Sequence, residues 1–411
     1  MAYDARQVVE GLRSGVPYRE MAKNIVFGRE RILSNVAKLM ESAEQEKAQK
    51  SPAFMVRANY GEGKTHFLHS VWGLAEDRNW VVSQVSLSRE TPLDRMDYLY
   101  PKIMENTYIP GSHQPGIARI IAEALDQPHL LADVRSLDLS TRVTVVIDNL
   151  INRNEGFPDL IADLEGKFLT SSELKQIHRK NFGKPLKIPR TTTREEVYHY
   201  LRAVDWFIRR AGYQGWMILF DEVELIGKFG KGARCRSYAN MGRLISESLP
   251  RMMTVWSVAS NFNADVLIAR KDQEEVPRYL ANRPAEAALA PFAEQAMEAL
   301  LESKLLEPLT KTQVQELIAQ IYELHQDAYG WQIPFSAQEL YEQVRTFTPT
   351  QDTRVRTWVR LSLTVLDIWY QYGTAPTVSV INPLQDAVLD EELIDEPTEL
   401  AKPMIIKTPL L

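Results

Sequence analysis

The sequence predicts an α/β protein built on a parallel sheet, with a helical insertion inside the sheet and a helical lid after it. Three observations predict this. The turn YGEGKT, residues 60–65, lies between a short apolar strand and an amphipathic helix. The run WMILF, residues 216–220, has the composition of a strand buried on both faces and ends in two acids, Asp221 and Glu222. From residue 311 onward the apolar residues recur at helical spacing alone.

Residues 4–13 and 29–46 read as amphipathic helices; in the second, Ile32, Leu33, Val36, Leu39 and Met40 share a face. AFMVRA, residues 53–58, is a short strand running into the turn. THFLHSVWGLAED has helical periodicity, and WVVSQVSLS from Trp80 is a second β-branched strand. The order strand, glycine loop, helix, strand opens a parallel sheet. Residues 92–214 are mostly helical and polar, punctuated by YIPGSHQPG and NFGKPLKIPRTTT, and read as an insertion. Within it TVVID, residues 144–148, fits either a strand ending in a carboxylate or a helix face running into NLI. GWMILFDEVELI and MTVWSVASNFN supply two further strands, and LLEPLT, residues 305–310, a short last one. Three helices follow, the first capped by Thr310 or Thr312. The predicted organisation is N-terminal helices at 1–50, an α/β core at 51–310 interrupted at about 92–214, a helical lid at 311–372 and an acidic tail at 373–411.

With 411 residues, 45% of them hydrophobic and 25% charged, the chain can bury a full core. Its apolar runs fall far short of the roughly 20 residues of a membrane span, and MAYDARQVVEGL carries no signal-peptide pattern. A cytoplasmic location without membrane contact is therefore expected. A single cysteine, Cys235, and seven scattered histidines support neither a disulfide framework nor a zinc site. The net charge of −6 is concentrated in the tail, where seven acids face Lys402 and Lys407. The rest is near neutral, so local patches decide what it attracts. Lys228, Lys231, Arg234 and Arg236, with Arg209 and KNFGKPLKIPR, are basic enough to suggest duplex DNA, and a solvated loop or an acidic partner fits them equally.

Aligned to G-x-x-x-x-G-K-[ST], the loop reads Ala58, Asn59, Tyr60, Gly61, Glu62, Gly63, Lys64, Thr65, and only the first position departs. The stretch Asn59 to His66 is the candidate nucleotide cradle. Gly63 lets the backbone approach phosphate, and the amides from Gly61 onward form an anion nest. Lys64 reaches the outer phosphates, and Thr65 supplies a hydroxyl to Mg²⁺. Ala58 would be costly only if the bend required a positive φ. A parallel strand delivers Asp221 and Glu222 to the carboxyl edge of the sheet, where Asp221 can hold Mg²⁺ through water and Glu222 can activate the attacking water. Asn261, or Ser260 beside it, can contact the γ-phosphate or that water; a plain Ser-Asn turn is the alternative. Arg270, Arg278, Arg283, Arg354 and Arg356 are candidates for stabilising transition-state charge.

In this order of parts the chain resembles the AAA+ ATPases of the origin-recognition and STAND side of that superfamily. FGRE, residues 27–30, looks like their G-R-E box near adenine. More specifically, it resembles the ATP-binding proteins of bacterial BREX-type phage-defence systems. The matching stretches are LRSGVP, FGRE, YGEGKTHFL, LEGKFLTSSEL, AGYQGWMILFDEVELI, RCRSYANMGRLI, LEPLTKTQVQELIAQIYELHQDAYG and TPTQDTRVRTWVRLSLTVLDI, spread over most of residues 11–370. The resemblance implies ATP and Mg²⁺ as ligands, and a DNA-associated, ATP-driven role in antiviral defence beside a helicase or another system subunit. It assigns nucleotide binding to Gly61, Gly63, Lys64 and Thr65, magnesium and water activation to Asp221 and Glu222, and a sensor role to Asn261. Arg354 or Arg356 becomes the lid sensor, and Arg29 a weaker nucleotide contact. Assembly of copies into a dimer, ring or spiral on DNA belongs to the same expectation. A STAND-like signalling scaffold and a helicase loader or regulator, both with little intrinsic turnover, remain open.

Overall fold

The computed structural model describes residues 4–14, 28–45, 50–127, 134, 137–152, 155–246, 249, 251–348 and 354–376. Its strands are β1 (Ala53–Ala58), β2 (Trp80–Ser86), β3 (Thr107–Tyr108), β4 (Gly215–Asp221), β5 (Met252–Ala259) and β6 (Lys304–Leu305). They form one sheet in the order β3-β2-β4-β5-β1-β6. All neighbours are parallel except β2 and β3. β4 is buried along its whole length because helices cover both faces. Its side chains alternate: Trp216, Ile218 and Phe220 enter the core shared with the insertion, while Met217 and Leu219 enter the core under helices Glu30–Glu44 and Lys64–Asp77. Phe220 stacks on Trp256 of β5 at 3.9 Å between ring centroids, which locks neighbouring strands at the edge where the acids emerge.

Between β2 and β4 the chain builds helices Met96–Glu105, Ile117–Leu125, Thr141–Asn152, Phe157–Ala162, Ser171–Phe182 and Thr193–Arg210. TVVID lies inside Thr141–Asn152 and is helical: Val143, Val146, Ile147 and Leu150 recur every three or four residues and are all buried. The antiparallel β3 was not anticipated. Two residues carry too little pattern to be read as a strand, and β3 exists through its pairing with Val82 and Ser83. The last strand, two residues paired to β1, overlaps the expected LLEPLT only at Leu305, and residues 306–310 are not strand. Thr310, the first of the two expected caps, exchanges hydrogen bonds with Gln313 ahead of helix Lys311–Tyr329.

The chain divides into two units. The first holds residues 15–313 and 353–356; the second holds 2–14, 314–352 and 357–411. The predicted N-terminal segment is thus split: helix Ala5–Arg13 groups with the C-terminal helices, and Glu30–Glu44 with the sheet. Inside the second unit, buried His325 accepts from the Trp331 indole at Nδ1 (3.0 Å) and so donates from Nε2 to Asp367 (3.0 Å), and Arg13 forks onto the same Asp367. The guanidinium and imidazole hold the Asp367 carboxyl below its usual range against the opposing effect of burial. Phe27, LRSGVP from residue 15, residues 349–353 and the acidic tail from residue 377 lie outside the described residues. Among the described residues no helix is long and apolar enough to cross a membrane.

Candidate functional site

The loop after β1 is closed by its own side chains. Glu62 folds back so that its carboxylate accepts from the Asn59 backbone N–H (2.7 Å) and the Asn59 amide (2.9 Å), and its own N–H donates to the Asn59 carbonyl. Gly61 and Gly63 take φ of +79° and +92°, where an L side chain is strained. Ala58 raises no such cost. It is the last residue of β1, paired with Ala259, and is absent from the positive-φ positions. The feared penalty does not arise because the bend begins one residue later.

Arg29 is buried and donates to the carbonyls of Glu62 (3.1 Å) and Glu307. It braces the loop from behind, and desolvation lowers its pKa to about 10 against the pull of Glu62. The structure therefore gives Arg29 a backbone-clamping place, reached by a route that motif spacing could not show. His66 stands on the first turn of helix Lys64–Asp77, its Nε2 buried. Burial, then the neighbouring His69, pushes its pKa down to about 4, so it is neutral near pH 7.

The chemistry-bearing groups converge at the carboxyl edge of the sheet. Thr65 Oγ1 donates to Asp221 Oδ2 at 2.8 Å, joining the loop to the end of β4. The two strands are not neighbours, since β5 lies between them, and the gap is bridged by Ser257 of β5, whose hydroxyl donates to Asp221 Oδ1. The Glu222 N–H also reaches Asp221 Oδ1 (3.0 Å). Lys64 Nζ lies 2.9 Å from Glu224 Oε1, while Glu224 Oε2 accepts from the Ala259 N–H at 3.0 Å. Glu222 has φ +60° and ψ 37°, a conformation rare for a residue with a β-carbon and common where a site stores strain. Desolvation, then the charges of Glu224 and Asp221, raises its pKa to about 7, with Lys64 and Lys228 opposing. A carboxylate whose pKa is raised toward neutrality is a stronger base than an ordinary one and accepts the proton of a water as that water attacks more readily.

Glu224 and Ser257 were missed by sequence reasoning. The signal for Glu224 was present in DEVE, two residues past the expected acid; Ser257 stands in the strand that leads to the candidates Ser260 and Asn261. Asn261 itself donates to Asp265 Oδ2 (2.8 Å), and Ser260 to Asn59. Both lie past the end of β5, so Ser257, two residues earlier than its β-strand's last residue, is the polar group that touches Asp221. Arg354 and Arg356 do meet the loop. The Arg354 side chain lies 3.2 Å from where a β-carbon on Gly61 would stand. Arg356 donates its N–H to the Gly61 carbonyl (3.1 Å) and its guanidinium to Tyr60 Oη (2.8 Å), stacking 4.7 Å over that ring. Arg270 is spent on the Gly227 carbonyl, and Arg283 lies over Tyr279 near Glu286.

This is the arrangement of a Walker-type nucleotide site: a glycine loop with its lysine and threonine, and an acid pair delivered by a strand two places away. A family model described as BREX system ATP-binding protein BrxC/D matches residues 2–129 and 158–382. The chain belongs to the BREX ATP-binding BrxC/D family. Family membership makes nucleotide binding in phage defence the setting in which the geometry is read. No curated protein matches the sequence. Among solved structures, the Walker-type ATPase PABY2304 of Pyrococcus abyssi is similar at 13% identity and a TM-score of 0.39, over 90% of this chain and 77% of that one.

The residues present fit a hard divalent cation. A magnesium ion on phosphate takes one or two protein oxygens and the remainder from phosphate and water. Thr65 Oγ1 and Asp221 Oδ2, already within 2.8 Å, would provide those oxygens. Bound there, Mg²⁺ would neutralise charge on the phosphate oxygens.

Proposed function

We propose that this BrxC/D-family chain hydrolyses ATP and uses the bound nucleotide to control its assembly on duplex DNA within the defence system. The observation that carries hydrolysis is the pairing of a loop that can hold phosphates with Glu222. That acid is strained, desolvated and tuned to about pH 7 beside the Thr65–Asp221 contact. In this reading Glu222 takes a proton from the water whose oxygen bonds to the γ-phosphorus as the bond from that phosphorus to the bridging oxygen breaks and ADP leaves; Lys64 leaves Glu224 for phosphate oxygens, and Thr65 and Asp221 would hold Mg²⁺. Arg354 and Arg356 lie against Gly61 and Tyr60 at the start of the helix Val355–Tyr372, most of which belongs to the second unit. They are the covalent route by which a loop filled with nucleotide could bias that unit, and through it contacts to further copies or to a partner helicase or other subunit.

A second reading treats ATP as a slow latch. It is favoured by the Lys64–Glu224 ion pair, which phosphate must displace before the lysine can act. ATP turnover by the full chain, with and without a 30-base-pair duplex and beside Lys64→Ala, separates the two. Turnover that rises with duplex and is lost in the variant supports the working ATPase. Tight ATP binding with no turnover under either condition would overturn it in favour of the latch.

A further inference from the structure

Residues 174–194 of the insertion, LKQIHRKNFGKPLKIPRTTTR, contain seven cations and no acid, in a chain whose net charge is −6. The structure sorts this stretch by side chain. On helix Ser171–Phe182, Leu174 is buried and Ile177 packs against the core, while Lys175, Arg179 and Lys180 are exposed. Past the left-handed Gly183 the chain runs without helix or strand to Thr192, held extended by Pro185 and Pro189. There Leu186 and Ile188 pack inward, and Lys184, Lys187 and Arg190 stand exposed at every third residue. In an extended chain of three residues per turn that spacing puts them on one side, about 9 Å apart. Arg190 also borders a cavity of about 420 Å³, with Arg142, Thr170, Ser171, Thr193 and Glu196 on its wall.

The contrast with the other basic stretch is decisive. Lys231 pairs with Glu275, Arg234 forks onto Asp272, and Arg236 reaches Asp94 and Glu286. Among the described residues, the ion pairs made by the cations of 174–194 are Lys180 with Glu155 at 3.6 Å and Arg194 with Asp97 at 3.2 Å. Lys175, Arg179, Lys184, Lys187 and Arg190 are exposed and make no ion pair among the described residues, an arrangement that costs self-repulsion and is relieved by an external polyanion.

We infer that Lys175, Arg179, Lys184, Lys187 and Arg190 form a phosphate-tracking surface for duplex nucleic acid on the insertion. The assignment rests on the DNA association proposed above, and it places that contact away from Lys231, Arg234 and Arg236. Lysines and arginines spaced along a strip fit a repeating backbone charge, and contacts of this kind weaken steeply with salt.

The test is fluorescence anisotropy of the full chain with a labelled 30-base-pair duplex at several salt concentrations. The wild type is compared with the triple variant Lys184→Glu, Lys187→Glu, Arg190→Glu and with Lys231→Gln. The expected result is a Kd weakened at least about tenfold in the triple variant, with the slope of log K against log salt smaller by about 3. Lys231→Gln should bind as the wild type does. ATP turnover without DNA, measured on the same samples, should be unchanged in the triple variant. Triple-variant binding equal to wild type would overturn the assignment, as would wild-type binding to poly-glutamate in place of duplex. The turnover arm reports separately on the nucleotide site, so its failure is not mistaken for failure of the surface.

Discussion

The carboxyl edge of the sheet and the basic strip of the insertion hold charge in opposite ways. At the sheet edge Lys64, Asp221, Glu222 and Glu224 are crowded and largely shielded, and each except Glu222 has a close polar partner: Lys64 on Glu224, Asp221 on Thr65 and Ser257, Glu224 on Ala259. On the strip Lys175, Arg179, Lys184, Lys187 and Arg190 are exposed and make no ion pair among the described residues. Buried charge must be compensated within the protein, and a small change there alters chemistry. Exposed, uncompensated charge costs little locally and acts at the range of the Debye length. One arrangement suits a reaction, the other an encounter.

Substitutions can break that comparison, and the largest effects belong to the sheet edge. Glu222→Gln should lower ATP turnover by about 10²–10⁴ while ATP binding persists, because the base is removed and the phosphate contacts are not; turnover beside equilibrium ATP binding checks both halves. Lys64→Ala should lower turnover by about 10²–10³ and also weaken ATP binding, since a charge on the phosphates is lost in ground and transition states alike. Wild-type turnover should fall as pH drops below about 7, because Glu222 is protonated there and cannot accept a proton; a turnover profile that is flat from pH 6 to 8 would be inconsistent with its role as base.

Stability readouts sharpen the difference between the two basic stretches. Arg234 is largely buried against Asp272, which is 1% exposed, so Arg234→Ala should destabilise by about 3–5 kcal/mol, leaving that carboxylate without its fork. Lys187→Ala should change stability by less than about 0.5 kcal/mol. Chemical denaturation of the two variants side by side measures both. A smaller effect has the opposite sign. The folded-state pKa of Glu222 is raised from 4.5 to about 7, so ionising it costs stability as pH rises across that window. Glu222→Gln should therefore melt above the wild type at pH 8, with the difference gone by about pH 4.

Much of the fold was legible because its signals are local. AFMVRA next to YGEGKT, and WMILF next to Asp221 and Glu222, each place an element and its chemistry within a dozen residues. The roles of Glu224, Ser257 and Arg29 were not legible, because each depends on a contact across a long stretch of chain, such as Lys64 to Glu224 or Arg29 to Glu307. The same limit explains why residues 228–236 looked free to bind DNA. Their acids come from Asp94, Asp272, Glu275 and Glu286, brought near by folding alone. Conversely, the insertion strip was visible as composition, but which cations face outward was decided by where Leu186 and Ile188 pack.

The central claim is that this is a hydrolytic site with Glu222 as its base. The most direct measurement is single-turnover ATP hydrolysis by wild type and Glu222→Gln at matched nucleotide occupancy, pH 8, with magnesium. Cleavage in the wild type and a loss of at least about a hundredfold in the variant, with occupancy unchanged, is the expected result. Cleavage at equal rates in the two proteins would contradict it.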